Sequence, residues 1–310
     1  MEIRPIPPDR QEWLSLRRGY IGASEVAILF GAQPDYMPGI FALWHVKAGI
    51  VPAEDVSNER TAWGLALEDA IAAYAGAQEG WQVEPGVYAS AGRLGATLDR
   101  LIAAPGPNDE GCNGPGVLEL KNVDWLVHKR QWGDEPPLHI LLQLQAQLLA
   151  SGRPWGAVAS LVGGNDLHVY RFHARAKIQA EIARRVAEFW LSVDEGRPPA
   201  ADGSDATYRA LMALNPEAEE EPADLEGDNE AIAAAADLLK WGAAEREAKK
   251  KRDAARNTLL AKLGPHRWGK AGEFRISQAI VEAKPARAAE LGEIISGRAE
   301  SRRITVKEAT

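Results

Sequence analysis

The spacing of apolar and polar positions predicts alternating helices and short strands over the first two thirds of the chain. Apolar residues at three- and four-residue spacing predict helices, and short apolar runs between Gly and Pro predict strands. Helices are predicted at 61–78, 138–151 and 174–195, and strands at 81–90, 95–104, 116–123, 155–163 and 166–172. This order predicts an α/β fold with a mixed central sheet flanked by helices.

The segment 13–29 predicts two helical pieces separated by a break at Gly19–Gly22, with Ser24 as the N-cap of the second piece. A guanidinium can bind two phosphate oxygens at once, and free N–H groups at a helix start attract anions. Arg17 and Ser24 therefore indicate an anion pocket, with Arg18 as an alternative to Arg17. Each residue alone is more simply a surface arginine or a plain cap.

A shift in composition after Pro199 predicts a domain at 1–200 and an appendage at 201–310. Residues 215–230 contain eight acids and no Lys or Arg, which is typical of an acidic linker. The Ala-rich segment 229–263 predicts a long helix, whose basic cluster is most simply a solvated face. A short β-like tail follows from Gly272.

Composition limits the classes of function. The single cysteine, Cys112, excludes a disulfide framework and cysteine-ligated metal sites, and it suits a reducing compartment such as the cytoplasm. The net charge of −8 argues against a simple basic DNA-binding module. It leaves room for a nuclease, because metal sites are acidic and a channel can be locally basic. No signal-peptide core or membrane-spanning apolar run is expected.

An acid followed by an acid-x-lysine pattern is the strongest chemical signal. Asp99 precedes the run GVLELKN, which contains Glu119 and Lys121. Side chains alternate along a strand, so Glu119 and Lys121 share a face while Leu120 points into the core. Two carboxylates can bind Mg²⁺, and a lysine can orient the attacking water beside a phosphodiester. Taken alone the pattern is weak, because acids and lysines are common on exposed strands.

Two polar residues on predicted helices could complete such a site. Glu68 could supply a third carboxylate, although a solvated helix acid is the simpler interpretation. Gln143 and Gln147 share a helix face, with Gln145 on the opposite side, because a helix turns about 100° per residue. A glutamine there could bind the phosphate, its water or Lys121, and an exposed polar face is the alternative.

The ordered motifs resemble the lambda-exonuclease-like, YqaJ-type viral recombinase nucleases of the PD-(D/E)XK, restriction-endonuclease-like superfamily. The matching segments are WLSLR at 13–17, GYIGASEV at 19–26, AWGLALE at 62–68, Asp99, LELK at 118–121 and QLQ at 143–145. The resemblance covers about residues 10–195. One departure is T-L-D-R at 97–100, where the family often has a proline before the first acid.

The resemblance implies a restriction-endonuclease-like core and a role for each matching residue. Asp99, Glu119 and the Leu120 carbonyl would bind the metal, Glu68 would assist them, and Lys121 would be the catalytic lysine. Arg17 and Ser24 would bind a DNA 5′-phosphate. Gln143 corresponds to the glutamine of the following helix.

The implied activity is a Mg²⁺-dependent exonuclease, with Mn²⁺ as the alternative metal, acting 5′→3′ on linear double-stranded DNA and leaving 3′ overhangs. The resemblance also implies a single-strand-annealing partner, a homo-oligomer in some relatives, and the cytoplasm of a bacterial host. The competing hypothesis is a non-catalytic scaffold that binds DNA ends or a recombination partner.

Overall fold

The computed structural model describes residues 1–52, 58–215, 217, 220–281, 287–288, 294–295 and 301–308. The chain forms two compact units, Met1–Ala218 and Glu219–Thr310. The first unit extends past the boundary at 200 expected from composition, because Ala210 packs against Phe41 and Ala42.

The first unit is built on two sheets. Its strands are β1 (Glu2–Arg4), β2 (Ile21–Gly22), β3 (Val83–Pro85), β4 (Tyr88–Ala91), β5 (Leu94–Thr97), β6 (Arg100–Ile102), β7 (Gly116–Val123), β8 (Trp155–Val162) and β9 (Asp166–His173). A five-stranded sheet has the order β3-β6-β7-β8-β9, and a four-stranded sheet has the order β1-β4-β5-β2. In the larger sheet β7 and β8 are parallel and the other pairs antiparallel, which confirms the predicted mixed sheet.

The helices of the first unit flank these sheets. They are α1 (Arg10–Arg18), α2 (Val26–Leu29), α3 (Ile40–Lys47), α4 (Glu59–Glu79), α5 (Trp125–Gln131), α6 (Leu138–Ser151), α7 (Ala176–Asp194) and α8 (Asp205–Leu214). The predicted helices correspond to α4, α6 and α7, so the predicted α/β class is confirmed.

Two of the predicted strands are wrong as single elements. The segment 81–90 divides into β3 and β4, and the segment 95–104 divides into β5 and β6, with the two halves of each in different sheets. At these divisions the backbone of Gly86 lies close to the backbone of Leu98. A Cβ atom on Gly86 would collide with the carbonyl oxygen of Leu98, so only glycine allows this approach. Asp99 therefore lies at the point where the chain passes from one sheet to the other.

Hydrophobic packing assigns each face of the larger sheet to a helix. Leu118 and Leu120 of β7 pack with Ile71 and Ala75 of α4 on one face. Val117 points to the opposite face, where the core includes Leu144 of α6. Because side chains alternate along β7, Glu119 and Lys121 point to the face that α6 covers.

The second unit contains one long helix and small sheets. Its elements are α9 (Asn229–Leu263), β10 (Trp268–Ala271), β11 (Phe274–Val281), β12 (Arg287–Ala288), β13 (Ile294–Ile295) and β14 (Ser301–Glu308). The predicted helical C-terminal region is confirmed by α9, and β10-β11-β14 form an antiparallel sheet. Among the residues described, no helix is both long and apolar enough to cross a membrane.

Candidate active site

Strand β7 presents an acid and a lysine side by side beneath α6. Glu119 is 1% exposed, and its Oε1 lies 2.5 Å from Nζ of Lys121. The two residues occupy alternate positions of one strand, so no loop is needed to bring them together. The result is a buried carboxylate in direct contact with an ammonium group.

Two glutamines of α6 hold the Glu119 carboxylate. Gln143 Nε2 donates to Oε1 and Gln147 Nε2 donates to Oε2, each at 2.5 Å. Gln143 Oε1 also accepts a hydrogen bond from Lys121 Nζ at 3.3 Å. Gln145 lies on the opposite side of α6, where it donates to the His173 carbonyl at 2.8 Å. Gln147 was not among the predicted site residues, although its spacing of four from Gln143 placed it on the same face.

Asp99 meets β7 at the beginning of β6. Leu120 N–H donates to Asp99 Oδ2 at 2.8 Å. Strand β6 begins at Arg100, which pairs with Leu118. Beside Leu120, β7 has no β6 residue to pair with, and the Asp99 side chain binds the backbone there instead. In an extended strand the N–H and C=O of one residue point to the same side. The Leu120 carbonyl therefore faces the side that Asp99 occupies.

Burial and charge shift the pKa values of this cluster. Burial, followed by the negative charge of Glu119, raises the pKa of Asp99 well above its usual value of 3.8. Burial alone would lower the pKa of Lys121, but the charges of Glu119 and Asp99 outweigh it and raise that pKa. The lysine is therefore held as an ammonium ion, and the two carboxylates repel each other in the absence of a further cation.

Glu68 of α4 lies at the edge of this cluster. Its Oε2 is 3.6 Å from Nη1 of Arg100. Burial raises the pKa of Glu68, Arg100 opposes the shift, and the charge of Glu119 adds to it. The Glu68 carboxyl group therefore interacts electrostatically with Glu119 and also contacts Arg100.

The donor chemistry of the cluster suits a hard divalent cation. Asp99, Glu119 and the Leu120 carbonyl offer only oxygen ligands, which Mg²⁺ and Mn²⁺ favour. The repulsion between the two carboxylates is the electrostatic condition that a dication would relieve. Within the described ranges, no three His, Cys, Asp or Glu side chains are grouped so as to hold a metal ion. A metal here would therefore rely on two carboxylates, a backbone oxygen and ligands from water or substrate.

A cavity of about 120 Å³ adjoins the cluster. The lining residues are Trp13, Arg17, Tyr20, Gly22, Ala23, Ser24, Tyr88, Gly95, Thr97 and Gln143. It therefore brings together both predicted anion-binding residues, and Gln143 belongs to its wall as well as to the Glu119–Lys121 cluster. Arg17 lines the cavity, whereas the alternative, Arg18, is exposed.

The prediction that Ser24 caps a helix is wrong. Ser24 lies inside a 3-10 turn at Ala23–Glu25, and the N–H of Gly22 at its start is bound by the Glu25 carboxylate at 2.7 Å. The helix that follows, α2, has four residues, which is too short for a substantial dipole. Among the described residues that line the cavity, the positively charged one is Arg17. Ser24 contributes an exposed hydroxyl group.

Comparison with known proteins agrees with the sequence motifs. Residues 12–154 match the family model of the YqaJ-like viral recombinase domain. The "uncharacterized protein YqaJ" of Bacillus subtilis (strain 168) is 28% identical over 218 residues, which cover 68% of this chain. The chain spans 65% of that relative's length, slightly less than two thirds.

Two solved structures are similar in part. An alkaline exonuclease (LHK-Exo) from Laribacter hongkongensis is 17% identical, with a TM-score of 0.48 over 67% of this chain and 100% of that one. A phage-related exonuclease from Haemophilus somnus 129PT is 10% identical, with a TM-score of 0.41 over 57% of this chain and 94% of that one. The family assignment rests on the family match and on the B. subtilis relative, not on these two structures. The resemblance predicted from the motifs is confirmed, because residues 12–154 match the YqaJ-like viral recombinase domain and the B. subtilis YqaJ protein is a relative.

Proposed function

We propose that this chain is a metal-dependent DNA exonuclease that digests linear double-stranded DNA in the 5′→3′ direction and leaves 3′ single-stranded overhangs. The observation that carries the proposal is the double position of Gln143. It lines the cavity that contains Arg17 and Ser24, and it also hydrogen-bonds Glu119 and Lys121. A terminal phosphate in the cavity would thus lie beside a hydrolytic cluster.

The residues of the cluster have distinct roles in this proposal. Lys121 remains protonated, so it offsets charge on the phosphate and orients the attacking water rather than removing its proton. The Gln143 side chain hydrogen-bonds both Lys121 and Glu119 and so fixes their positions relative to each other. The amides of Gln143 and the buried Gln147 hold the Glu119 carboxylate in one orientation, which preserves the geometry between catalytic cycles.

The proposed metal ligands are Asp99, Glu119 and the Leu120 carbonyl, with Glu68 assisting. A bound Mg²⁺ or Mn²⁺ would supply Lewis-acid stabilisation of the negative charge that develops on the phosphate. Asp99 is well placed to bind it, because the Leu120 N–H fixes one of its oxygens. The repulsion between Asp99 and Glu119 would then become favourable attraction to the cation.

The proposed role of Arg17 and Ser24 is to bind the 5′-phosphate and so to set the position of cleavage. Arg17 provides charge-assisted hydrogen bonds, and Ser24 adds a hydroxyl donor. Support comes from the match to the viral recombinase family over residues 12–154, which include both side chains. The same match leads us to propose a single-strand-annealing protein as partner, a homo-oligomer around DNA, and a bacterial cytoplasm as the setting.

The test is digestion of linear duplex DNA in EDTA, Mg²⁺ or Mn²⁺ by the wild type, Lys121→Ala and Lys177→Ala. Lys177 is exposed on α7 and serves as a matched control for loss of a lysine. We expect the wild type and Lys177→Ala to release mononucleotides only with metal. We expect Lys121→Ala to be slower by roughly 100-fold or more, the usual effect of losing one charge-stabilising group.

Strand direction is tested with duplexes labelled at either the 5′ or the 3′ end, and circular DNA tests the need for an end. Early release of the 5′ label and resistance of the circle support the proposal. Equal digestion by wild type and Lys121→Ala would overturn it. DNA-end binding without cleavage in either metal would favour the scaffold alternative.

A further inference from the structure

We propose that Glu25, anchored by the buried Lys47, is a positioning residue that holds the Arg17 guanidinium at the cavity and thereby sets the preference for 5′-phosphorylated DNA ends. This inference rests on the proposed function, because it assigns a device to the same cavity. Neither Glu25 nor Lys47 belongs to the cavity lining among the residues described. Their effect on a phosphate would therefore pass through Arg17.

The Glu25 carboxylate joins three parts of the chain. Oε2 accepts the Gly22 N–H at 2.7 Å and lies 2.8 Å from Lys47 Nζ, while Oε1 lies 3.5 Å from Arg17 Nη2. The short contacts fix the carboxylate to the turn and to α3. The longer contact with Arg17 directs the guanidinium without using all of its N–H donors.

Lys47 is the anchor of this arrangement. Its side chain is 3% exposed, and Nζ donates to the Arg17 carbonyl oxygen at 3.0 Å in addition to contacting Glu25. One ammonium group therefore holds both the backbone of Arg17 and the carboxylate that orients the Arg17 side chain. An ammonium this deeply buried is stable only with such partners.

A second side chain, Trp13, also constrains Arg17. Its guanidinium carbon lies 4.6 Å from the Trp13 ring centroid, as expected for residues four positions apart on α1. Trp13 is in turn held by a 3.2 Å hydrogen bond from Nε1 to Thr97 Oγ1. With Trp13 on one side and Glu25 on another, the remaining donors of Arg17 are available at the cavity that it lines.

The turn leaves little space for change. A Cβ atom on Gly22 would lie 3.2 Å from Glu25 Oε2 and 3.3 Å from Arg17 Nη2. Both distances are tighter than usual, so a side chain at Gly22 would push the carboxylate and guanidinium apart. This close fit explains the need for glycine before the Ala23–Glu25 turn.

The charges of Arg17, Glu25 and Lys47 also determine how this group interacts with a phosphate. Burial alone would raise the pKa of Glu25, but the positive charges of Lys47 and Arg17 outweigh it and lower that pKa, so Glu25 is an anion. Two cations and one anion leave the group with a net charge of +1. The cavity can therefore attract a phosphate through the guanidinium that Glu25 holds in place.

The test measures binding of duplexes that differ only in a 5′-phosphate or 5′-hydroxyl, by fluorescence anisotropy in EDTA, together with cleavage in Mg²⁺. For Glu25→Gln we expect the Kd for the phosphorylated end to rise roughly tenfold, the value of one hydrogen bond to a charged group. The Kd for the hydroxyl end should remain within about twofold of wild type. Arg17→Ala should lose the same preference.

A second variant separates positioning from stability, because Glu25→Gln leaves Lys47 buried without its carboxylate. The double variant Glu25→Gln/Lys47→Met removes both charges of the pair and should recover thermal stability. Persistent loss of the end preference in this variant supports the inference. A wild-type preference in the recovered protein would show that Glu25 has only a structural role, and would overturn it.

The outcomes distinguish this inference from the proposed function. If the wild type binds phosphorylated ends preferentially and loses that preference in Glu25→Gln, but cleaves no DNA, the inference stands and the exonuclease proposal fails. If the wild type cleaves DNA but shows no end preference, or if Arg17→Ala retains the preference, the role of Glu25 is wrong and the hydrolytic assignment remains.

Discussion

Gln147 donates a hydrogen bond to Glu119 Oε2 at 2.5 Å, and both side chains are almost completely buried. Because Gln143 occupies Oε1, each oxygen of this carboxylate has an amide donor. Such contacts would fix the orientation of Glu119 in its proposed role as a metal ligand. The orientation of Glu119 is therefore determined by α6 as much as by its own strand.

Replacing Gln147 with methionine should weaken metal use more than it weakens the fold. We expect the free energy of unfolding to fall by roughly 1–3 kcal/mol, because one buried oxygen of Glu119 loses its donor. The metal concentration for half-maximal cleavage should rise about 10–100-fold. A metal titration of DNA cleavage, with denaturant unfolding of the metal-free protein, measures both effects.

Gln145→Met is the matched control for that experiment. Gln145 lies on the other side of α6, where it donates to the His173 carbonyl and accepts the Arg175 N–H at 2.8 Å. Its loss should reduce stability without changing the metal titration. A similar shift in metal requirement for both variants would contradict the proposed support of Glu119.

Asp99→Asn should stabilise the metal-free protein while it abolishes cleavage. Burial and Glu119 raise the pKa of Asp99, so the folded state binds its proton more tightly than the unfolded state does. Stability from this group is present at low pH and falls as pH rises above 3.8 and through the folded pKa. Each tenfold gain in proton affinity on folding corresponds to about 1.4 kcal/mol. Asparagine avoids this loss, and its side-chain oxygen can still accept the Leu120 N–H.

Urea unfolding in EDTA from pH 3 to pH 8 (roughly the range of carboxyl titration) tests this prediction. The advantage of Asp99→Asn over wild type should grow with pH and disappear when Mg²⁺ stabilises only the wild type. A variant that is less stable than wild type at neutral pH would show that Asp99 has no unfavourable charge to lose.

A histidine pair formed by α5 and the edge strand β9 should make the stability of the protein depend on pH in a second way. The rings of His128 and His168 are 4.7 Å apart, and His128 Nε2 lies 3.2 Å from the Tyr170 hydroxyl group. Burial, then the charge of His168, lowers the pKa of His128 from its usual 6.5. The folded state therefore favours neutral His128, and stability falls as pH drops below 6.5 toward the folded pKa.

His168→Asn should raise the pKa of His128 toward its usual value and flatten the loss of stability on acidification. Histidine ring proton shifts followed by NMR give the pKa directly, and thermal unfolding over the same pH series gives the stability. An unchanged His128 titration in the variant would exclude the neighbouring histidine as a cause.

Gly95→Ala should close the cavity lined by Arg17 and Ser24. A Cβ atom at Gly95 would collide with the Tyr88 hydroxyl group and lie 3.0 Å from Tyr20 Cβ. We expect a loss of stability of roughly 1–3 kcal/mol from overpacking and a loss of preference for phosphorylated ends. End-binding assays and thermal unfolding should show both effects, whereas Gly133→Ala, which has open space around its Cβ, should resemble wild type.

Local periodicity predicted the central part of this architecture. Glu119 and Lys121 share a face because β7 is a regular strand, and Gln143 and Gln147 share a face because α6 is a regular helix. Predicted helix bounds for α6 agree with the structure because a Pro precedes its start and Gly152, with a positive φ, ends it.

Features that depend on tertiary packing were not predictable in this way. Helix α3 is buried around most of its circumference, including Phe41, Trp44 and Lys47, so its sequence lacks an amphipathic period. The contacts of Lys47 with Glu25 and with the Arg17 carbonyl oxygen were therefore missed. The change of sheet at Asp99 depends on the close approach of Gly86 and Leu98, which lie in separate segments.

Helix α6 packs against β4 and β5 of one sheet and against β7 and β8 of the other. It therefore connects the cavity lined by Arg17 and Ser24 with the Glu119–Lys121 cluster, and Gln143 borders both. In the proposed exonuclease, a single rigid helix would then fix the distance between a bound 5′-phosphate and the hydrolytic residues. The position of cleavage would depend on this helix and not on the nucleotide sequence of the substrate.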